Sequence, residues 1–351
     1  MKKILIWIFI AAVIVRIFAL ITDDIYPLQS DAGTYYADGE NIANGGFIDY
    51  LNHPPQKYGP VYPIFIGFVF KLTGIGQRQI YTFQILLDLI TIIIIYFIGK
   101  QIAEEKVGVL AAGLYSFHPA PIVFTRCVLT ETLSLFFISL FFLLLYLAIE
   151  KRKNWIFFLA GLTGLIGGLV RYDLLLFPVI CAFWILFYFS NDLKTGLNFF
   201  LSFFLLYIII LFAVMLQFGS YSKKVAFSLY KKNVGAGFKT LYENMLDMWD
   251  GVMVRQAVGS RGEDYNWRYS PIPFIISFPV YLIVMWCSFF SILINKINKK
   301  NLLLYIFLIF WTAEHVLTLS LPRYQVPAIP AIVILFSIFF FRLIEIRKKC
   351  G

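Results

Sequence analysis

Several ionisable residues stand beside or within long apolar runs, where a charge is costly. Asp31 follows the first apolar run, in an acidic stretch over residues 22–59, and Lys57 lies near the end of that stretch. Ionisable groups at membrane depth usually face a cavity or pair with one another, so they are candidates for function. Later runs carry Arg126, Glu131, Arg171, Asp173, Glu314, His315 and Arg323.

These residue types suit one kind of chemistry. A carboxylate such as that of Asp31 can deprotonate an acceptor hydroxyl as a general base. Guanidinium and ammonium groups can stabilise a phosphate that gains charge as it leaves. The set therefore indicates transfer from a lipid-phosphate donor, whose apolar tail would lie between helices.

The composition indicates an integral membrane protein. The 351 residues are 60% hydrophobic and 14% charged, with a mean hydropathy of +0.79, whereas soluble domains carry about 25% charged residues. The net charge of +10 fits the excess of Lys and Arg in cytoplasmic loops.

Because the chain shows no RNA-binding signature, we expect no nucleic-acid partner. The spacing of the four cysteines suggests no disulfide framework.

We predict an all-α polytopic membrane protein with about ten transmembrane helices, because each needs about 20 mostly apolar residues. The first run lacks a small-x-small cleavage site, so we interpret it as an uncleaved helix. Residues 60–73 are apolar but short and bounded by prolines, and we expect them in the membrane interface or entering it partway. The predicted spans are 4–21, 79–98, 107–123, 129–149, 155–170, 173–189, 196–217, 273–294, 302–320 and 325–342.

Loop charges predict the orientation. Clusters of Lys and Arg fall in alternate links, such as 151–153 and 296–300, while the short links between them hold only Arg126, Arg171 and Arg323. The positive-inside rule then places both termini in the cytoplasm of a multi-pass plasma-membrane protein.

Two long polar segments then fall on the outer face of one membrane-embedded domain that spans 1–351. The first outer loop, 22–78, would contain the catalytic acid and interfacial helices. The second, 218–272, carries eight basic residues and would be either a solvated cap or a site for an anionic headgroup or acceptor. Apolar residues at helical spacing within 242–254 predict an amphipathic helix on the membrane.

The boundary residues also have structural explanations. Arg126 and Arg323 could extend to lipid phosphates, and Asp173 could be the structural partner of Arg171.

The polar residues inside the runs have similar explanations. Asp88, in mid-span, fits a buried hydrogen-bonded group, and Arg16 fits an internal ion pair, for example with an acid of the first outer loop. Glu314 and His315 could be polar core residues. The histidines lack metal-ligand spacing, so no metal is predicted.

In their order along the chain, four landmarks resemble the GT-C fold glycosyltransferases of the protein O-mannosyltransferase type, which include bacterial relatives that add aminoarabinose to lipid A. The resemblance covers about residues 1–342. Asp31 is followed by Ala where the family often has a second acid, and Glu131 stands where many relatives have Asp. The landmarks are Asp31-Ala-Gly-Thr-Tyr35 with the prolines that follow; Arg126-Cys-Val-Leu-Thr-Glu131; Gly167-Gly168-Leu-Val-Arg171 through Pro178; and Arg323-Tyr324-Gln-Val-Pro327, with His315 eight residues earlier.

The resemblance implies roles for these positions. Asp31 would be the general base, and Glu131 would orient the sugar or the acceptor. The donor phosphate would be held by Lys57, Arg171 and Arg323. The substrate would be lined by Tyr35, Tyr58, Arg126, His315 and Tyr324. Members of this type are inverting and metal-independent, which implies a single displacement on a polyprenyl-phosphate sugar without a cofactor.

Two other functions stay open at this point. A transporter or lipid-linked-sugar flippase would commonly show inverted repeats and polar residues near the midplane, whereas here no repeat is evident and the polar residues gather at one face. A polysaccharide polymerase or ligase would also be an outer-facing enzyme. The short basic links leave no room for a nucleotide-sugar domain, which favours a lipid-linked donor. The acceptor could be a glycan, a lipid or a protein.

Overall fold

The computed structural model describes residues 1–22, 28–53, 58–218, 238–249, 271–318 and 322–350. Secondary structure in these ranges is helical throughout, without a strand. The α-helices are α1 (Lys2–Thr22), α2 (Asp31–Asn41), α3 (Phe47–Asn52), α4 (Val61–Thr73), α5 (Gln77–Ile102), α6 (Glu105–Ser116), α7 (Pro119–Phe124), α8 (Glu131–Lys151), α9 (Asn154–Val170), α10 (Phe177–Tyr188), α11 (Leu193–Phe218), α12 (Phe238–Met248), α13 (Pro271–Phe290), α14 (Lys299–Leu317) and α15 (Ile329–Cys350). A π-helical segment covers Ile42–Gly46, and 3₁₀ segments cover Tyr172–Leu174, Ser291–Leu293 and Pro322–Ala328.

The described helices are apolar enough for a membrane protein. The long candidate spans are Lys2–Thr22, Gln77–Ile102, Glu131–Lys151, Lys299–Leu317 and Arg323–Lys349. Shorter apolar helices lie at Val61–Thr73, Asn154–Val170, Tyr172–Tyr188, Leu193–Leu205 and Val280–Leu293. The prediction of an all-α polytopic membrane protein is therefore confirmed.

One predicted span, 107–123, is broken in two. α6 ends at Ser116, and α7 begins at Pro119. His118 between them is the N-cap of α7, and its side chain accepts a hydrogen bond from the amide of Ala120 at 3.2 Å. Proline has no N–H and disfavours a helical conformation in the residue before it. The prediction of one continuous helix was wrong because it counted apolar residues and passed over this proline.

The termini of the described helices lie at two opposite ends of the bundle. Gln101 Nε2, at the end of α5, donates to Glu150 Oε2 at the end of α8 over 2.7 Å. Lys300 Nζ donates to the Gln101 carbonyl at 3.3 Å, and Lys299 Nζ to the Tyr188 carbonyl at 2.9 Å. Basic links that the sequence assigns to one side of the membrane thus meet at one end. We call this the basic end.

Glu131 lies at the other end of the bundle. It is the first residue of α8, a helix of 21 residues, and such a helix is about 30 Å long. The first long polar segment packs there as α2, α3 and α4. α2 meets α4 closely, since a Cβ on Gly39 would lie 2.3 Å from Cγ2 of Ile66. A Cβ on Gly59 would lie 2.0 Å from the carbonyl oxygen of Leu169 near the end of α9. The segment is therefore packed onto the bundle.

A buried ion pair joins α1 to the bundle. Arg16 Nε donates to Asp88 Oδ2, and both side chains are fully buried. Tyr115 Oη donates to Asp88 Oδ1 at 2.6 Å, and an Arg16 guanidinium nitrogen donates to the Ser116 carbonyl at 3.0 Å. Asp88 is thus the buried, hydrogen-bonded residue that the sequence predicts. Arg16 does form an internal ion pair, but its partner is Asp88 on α5 and not an acid of the first outer loop.

In the second long polar segment, the helix α12 covers Phe238–Met248, where the amphipathic pattern predicts one over 242–254. Met248 is buried, and Asn244 Nδ2 donates to the carbonyl of Val316 at 3.0 Å. α12 therefore packs against the end of α14. Residues 250–254 lie outside the described residues.

Candidate active site

Separate parts of the chain bring acids and arginines together at the end remote from the basic links. Asp31 is the first residue of α2 and Glu131 the first residue of α8, positions at which the helix dipole favours a carboxylate. Arg171 directly follows α9, and Arg323 lies in the 3₁₀ segment before α15. Asp31 and Arg323 are 292 residues apart in the sequence, so only the folded bundle assembles this group.

The pair of Asp31 and Arg323 forms the solvent-accessible side of the cluster. A terminal nitrogen of Arg323 donates to Asp31 Oδ2 at 3.3 Å, and the two side chains are 25% and 21% exposed. Arg323 Nε lies 4.0 Å from Glu131 Oε1. An acceptor group can therefore approach the Asp31 carboxylate, while the adjacent guanidinium stabilises its negative charge.

Arg171 organises the buried side of the cluster. Its guanidinium donates to Asp173 Oδ2 at 2.7 Å, to Glu131 Oε1 at 3.3 Å and to Thr130 Oγ1 at 3.4 Å. The side chains of Arg171 and Glu131 are only 10% and 1% exposed. The planar fork of Arg suits such pairing with two carboxylates. The pairing of Asp173 with Arg171 is confirmed, and Glu131 shares the same guanidinium.

Glu131 connects the two arginines. Its Oε1 is the oxygen that both Arg171 and Arg323 approach. Its Oε2 is buried and accepts no hydrogen bond within the part of the chain that the structure describes. A buried carboxylate oxygen in that state suits a donor supplied by a ligand, such as a sugar hydroxyl.

His315 extends the network behind Arg171. Its Nε2 lies 3.4 Å from Asp173 Oδ2, and its Nδ1 lies 2.9 Å from Glu314 Oε2 and 2.9 Å from the Trp311 carbonyl. Oxygen atoms thus face both ring nitrogens, and only a doubly protonated imidazole can donate to both sides. In this arrangement His315 supports Asp173, which in turn holds Arg171.

The same residues form a group of metal-ligating types. Ligand atoms of Asp173, Glu314 and His315 lie within 4.8 Å of one another. The Asp173 carboxylate already accepts three hydrogen bonds from the guanidinium of Arg171, so a metal ion would compete with that guanidinium for one of its three ligands. The absence of a metal stays a prediction.

Aromatic rings surround the charges. The guanidinium carbons of Arg171 and Arg323 lie 5.2 Å and 5.6 Å from the centre of the Tyr324 ring, within the range of cation–π attraction. Trp311 Nε1 donates to the Tyr324 carbonyl at 2.6 Å, and the His315 ring lies 4.8 Å from that of Tyr324. The Tyr324 ring is therefore near both arginines.

Tyr35 closes the site on the side of α2. Its ring meets those of Tyr58 and Tyr62 edge-on, at centroid distances of 4.8 Å and 5.1 Å. Burial raises the pKa of the Tyr35 phenol above its ordinary value, and the carboxylates of Asp31 and Glu131 raise it further. Tyr35 therefore keeps its proton and can act as a hydrogen-bond donor beside the cluster.

Three residues predicted for the site are not seen in this network. Tyr58 packs on Tyr35, but its hydroxyl donates to Asp38 at 2.6 Å. Arg126 is buried and donates to the carbonyl of Ala19 in α1 at 3.4 Å. Lys57 lies outside the described residues.

Sequence reasoning left Asp173 out of the predicted site, and it did not predict that Asp38 accepts a hydrogen bond from Tyr58. A signal for Asp38 was present, because positions 31 and 38 lie two turns apart on one face of the same helix. Asp173 stands two residues after Arg171, so their pairing is local in the sequence. Its contact with His315 joins distant parts of the chain and can be seen only in the folded structure.

Comparison with known proteins bears on this arrangement. Residues 52–218 match the family model described as dolichyl-phosphate-mannose-protein mannosyltransferase. That match covers just under half of the chain. No curated protein matches the sequence.

Solved membrane proteins share the fold. The chain is similar to the oligosaccharyltransferase of Archaeoglobus fulgidus in the apo form, with a TM-score of 0.64 and 12% identity over 99% of this chain and 50% of the other. It is similar to ArnT from Cupriavidus metallidurans bound to undecaprenyl phosphate, with a TM-score of 0.59 and 15% identity over 99% of this chain and 64% of the other. The chain has the GT-C fold. It thus spans between half and two thirds of the length of these GT-C structures.

A third GT-C structure adds a ligand to the comparison. It is the archaeal oligosaccharyltransferase AglB from A. fulgidus in complex with an inhibitory peptide and a dolichol-phosphate, with a TM-score of 0.61 and 13% identity over 99% of this chain and 51% of the other. Both ligand-bound neighbours thus hold a polyprenyl phosphate lipid.

Proposed function

We propose that this protein is a glycosyltransferase that moves a sugar from a polyprenyl-phosphate-linked donor to the hydroxyl of a glycan, lipid or protein acceptor. The observation that carries the proposal is the solvent-accessible carboxylate of Asp31, 3.3 Å from the guanidinium of Arg323 and beside the buried Glu131. The family match and the lipid phosphates bound by two GT-C neighbours support the same donor class.

The reaction is one displacement with inversion at the anomeric carbon. Asp31 takes the proton of the acceptor hydroxyl, and the acceptor oxygen forms a bond to that carbon. The bond from the carbon to the phosphate oxygen breaks, and the electron pair leaves with the polyprenyl phosphate. Arg323 stabilises the charge that the phosphate gains. Glu131 Oε2 accepts a hydrogen bond from the sugar or the acceptor.

The two arginines have different parts in this proposal. Both were assigned to the donor phosphate by the family resemblance. Arg171 is 10% exposed and is held by Asp173 and Glu131, so it chiefly orients Glu131. Arg323 has 21% of its side chain exposed and one ion pair within 3.5 Å among the described residues, so it is the arginine that can receive phosphate.

The phosphate needs more positive charge than the described cluster provides. Four carboxylates there, on Asp31, Glu131, Asp173 and Glu314, face two guanidiniums and the His315 imidazole, so negative groups still outnumber positive ones. Lys57 and the basic residues of the second long polar segment are the sources that the sequence offers, and Lys57 keeps its proposed role in phosphate binding. The site lies opposite the basic end of the bundle, which supports its placement on the outer face of the plasma membrane.

The test replaces Asp31 by Asn in a deletion strain and compares the surface glycans and polyprenyl-phosphate sugars by mass spectrometry. A general base contributes about 10²–10⁴-fold to rate, so the strain with Asp31→Asn should lack the sugar and accumulate the lipid-linked donor. Asp49→Asn is the matched control, because Asp49 lies in the same polar segment, is 74% exposed and contacts His53.

Two results would count against the proposal. If Asp31→Asn restores the wild-type glycan at equal expression, Asp31 is a solvent-accessible acid at a helix start and not the base. If the purified protein moves lipid-linked sugar across vesicles without forming a glycoside, transport or flipping replaces transfer as the function.

A further inference from the structure

A cavity lies at the basic end of the bundle, about one helix length from Glu131. Its volume is about 160 Å³. It opens between the end of α5, the link from α13 to α14 and the last turns of α15. Its inner wall includes Ile102, Ile338 and Phe341, and its polar rim includes Glu104, Lys296, Arg342 and Glu345.

Asn295 presents an acceptor to this cavity. Ser291 Oγ donates its one proton to the Ser288 carbonyl at 2.6 Å. The hydroxyl of Tyr305, 2.7 Å from Ser291 Oγ, must therefore donate to it. That hydroxyl then accepts from Asn295 Nδ2 at 3.0 Å.

This chain of donors fixes the orientation of the amide. Asn295 Oδ1 is left buried and accepts no hydrogen bond within the described ranges, although the residue is only 6% exposed and lines the cavity. A buried acceptor without a partner is costly. A ligand group that enters the cavity and donates a hydrogen bond to Oδ1 would remove that cost.

The rim offers positive charge next to that acceptor. Glu104 pairs with Lys106 at 2.8 Å, and Glu345 pairs with Arg342 at 3.1 Å. Lys296 lines the cavity and makes no ion pair within the described part of the chain. The Lys296 amine is therefore available to bind an anionic ligand.

The cavity wall is held in place before any ligand binds. Asn301 Nδ2 donates to the Lys296 carbonyl at 3.0 Å, and Asn298 and Asn301 form a capping box at the start of α14. Apolar side chains lie on the adjoining surface, with Ile297 46% and Leu343 40% exposed. An apolar surface below a rim that carries the amine of Lys296 is an arrangement that can receive a lipid headgroup at a membrane boundary.

We propose that this cavity binds the headgroup of a glycerophospholipid. The phosphate lies at Lys296 and at the Nε of Arg342, which is buried and makes no hydrogen bond among the described residues. A hydroxyl or ammonium group beyond the phosphate donates to Asn295 Oδ1. The acyl chains lie along Ile338 and Phe341 of α15. This site is separate from the transfer site and does not depend on the proposed function.

The test is a titration of the purified full-length protein in detergent, followed by native mass spectrometry. The lipids are phosphatidylethanolamine, phosphatidylglycerol and phosphatidylcholine with the same acyl chains. The choline group has no N–H or O–H and cannot donate to Asn295 Oδ1. Wild type should therefore bind phosphatidylcholine about tenfold more weakly than it binds the tighter of phosphatidylethanolamine and phosphatidylglycerol. This factor is the effect of one lost hydrogen bond to a buried acceptor. Asn295→Leu should abolish that preference.

Lys296→Gln provides a second variant on an exposed rim residue, in case Asn295→Leu fails to fold. It should weaken binding of all three lipids, and Lys153→Gln, a change at an exposed lysine of the same end, should leave binding unchanged. Equal binding of the three lipids by wild type would overturn the proposal, as would unchanged binding by Lys296→Gln. Competition by glycerol 3-phosphate at the same concentration as lipid would assign the site to a soluble phosphate and overturn the lipid headgroup.

Discussion

Glu131 and Arg171 show how this chain keeps charge inside an apolar bundle. The Glu131 side chain is 1% exposed, and two guanidiniums approach its Oε1 at 3.3 Å and 4.0 Å. Burying one charge without partners costs several kcal/mol, so each group is stable there because the others are present. The same pairing fixes the direction of Glu131 relative to Asp31, which is the geometry that the proposed transfer needs.

Arg171→Lys should damage both stability and transfer. A lysine amine cannot form the planar fork that contacts Asp173 and Glu131 together. We expect the free energy of unfolding to fall by about 2 kcal/mol, since charge-assisted hydrogen bonds contribute about 1.5–3 kcal/mol each. Transfer should fall more than tenfold. Thermal unfolding in detergent and a transfer assay with lipid-linked sugar measure the two effects.

Arg78→Lys is the control for that variant, because Arg78 is exposed at the start of α5. It should match wild type in both measurements. Wild-type transfer by Arg171→Lys would show that the guanidinium fork does not orient Glu131.

At the scale of elements, the contact between α2 and α4 places Asp31. α2 carries Asp31 on its first turn, and its Gly39 lies so close to α4 that a Cβ would meet Ile66 Cγ2 at 2.3 Å. Gly67 on α4 makes the reciprocal approach, with a Cβ at 2.4 Å from Ile42 Cγ2. Small residues at such crossings let helix backbones approach in membrane proteins. The position of the Asp31 carboxylate, the proposed base, therefore depends on a glycine two turns away from it.

Gly39→Ala should displace α2 and reduce transfer at least several-fold, with an overpacking cost of about 1–3 kcal/mol. Adding Ile66→Gly removes both the Cγ2 methyl group and the Cβ, which would lie 2.7 Å from the new methyl group, so the double variant should recover transfer relative to Gly39→Ala. A transfer assay on equal amounts of folded protein makes the comparison.

Gly113→Ala on α6 is the matched control, since its Cβ would meet only Ile8 Cδ1, at 3.4 Å. It should leave transfer unchanged. Full transfer by Gly39→Ala alone would mean that the α2–α4 spacing does not position Asp31.

At the scale of the whole molecule, α1 buries few of its residues against the bundle, and one of them forms an ion pair. Only 17% of its membrane-spanning window is buried, and Arg16 is one of its few buried residues. The pair of Arg16 and Asp88, with the hydroxyl of Tyr115, lies in the apolar interior. Since lipid solvates apolar side chains as well as the protein does, hydrogen bonds and close packing hold helices together in a bilayer.

Arg16→Met should destabilise the protein by about 3–5 kcal/mol, because it leaves the Asp88 carboxylate buried without its cation. The double variant Arg16→Met/Asp88→Leu removes both charges and should recover most of that loss. Thermal unfolding in detergent gives both values. Arg347→Met at the basic end of α15 should be neutral, and a double variant no more stable than Arg16→Met would contradict this role of the pair.

The sequence by itself determined the class of protein and most of the residues of the cluster. Apolar runs long enough to span a bilayer are a local property, so the all-helical membrane fold could be predicted from them. Asp31, Glu131, Arg171 and Arg323 could be singled out because charge beside such runs is rare. Their order along the chain was enough to suggest the GT-C fold.

Only the tertiary structure decided which groups meet. It pairs Arg323 with Asp31, 292 residues apart in the sequence, and Arg16 with Asp88. It also places the Tyr58 hydroxyl where it donates a hydrogen bond to Asp38. It also broke the span over 107–123 at a proline. These outcomes depend on how the helices cross and on the depth at which each side chain lies. A hydrophobic pattern predicts neither the crossing nor the depth, because lipid and protein interiors are equally apolar.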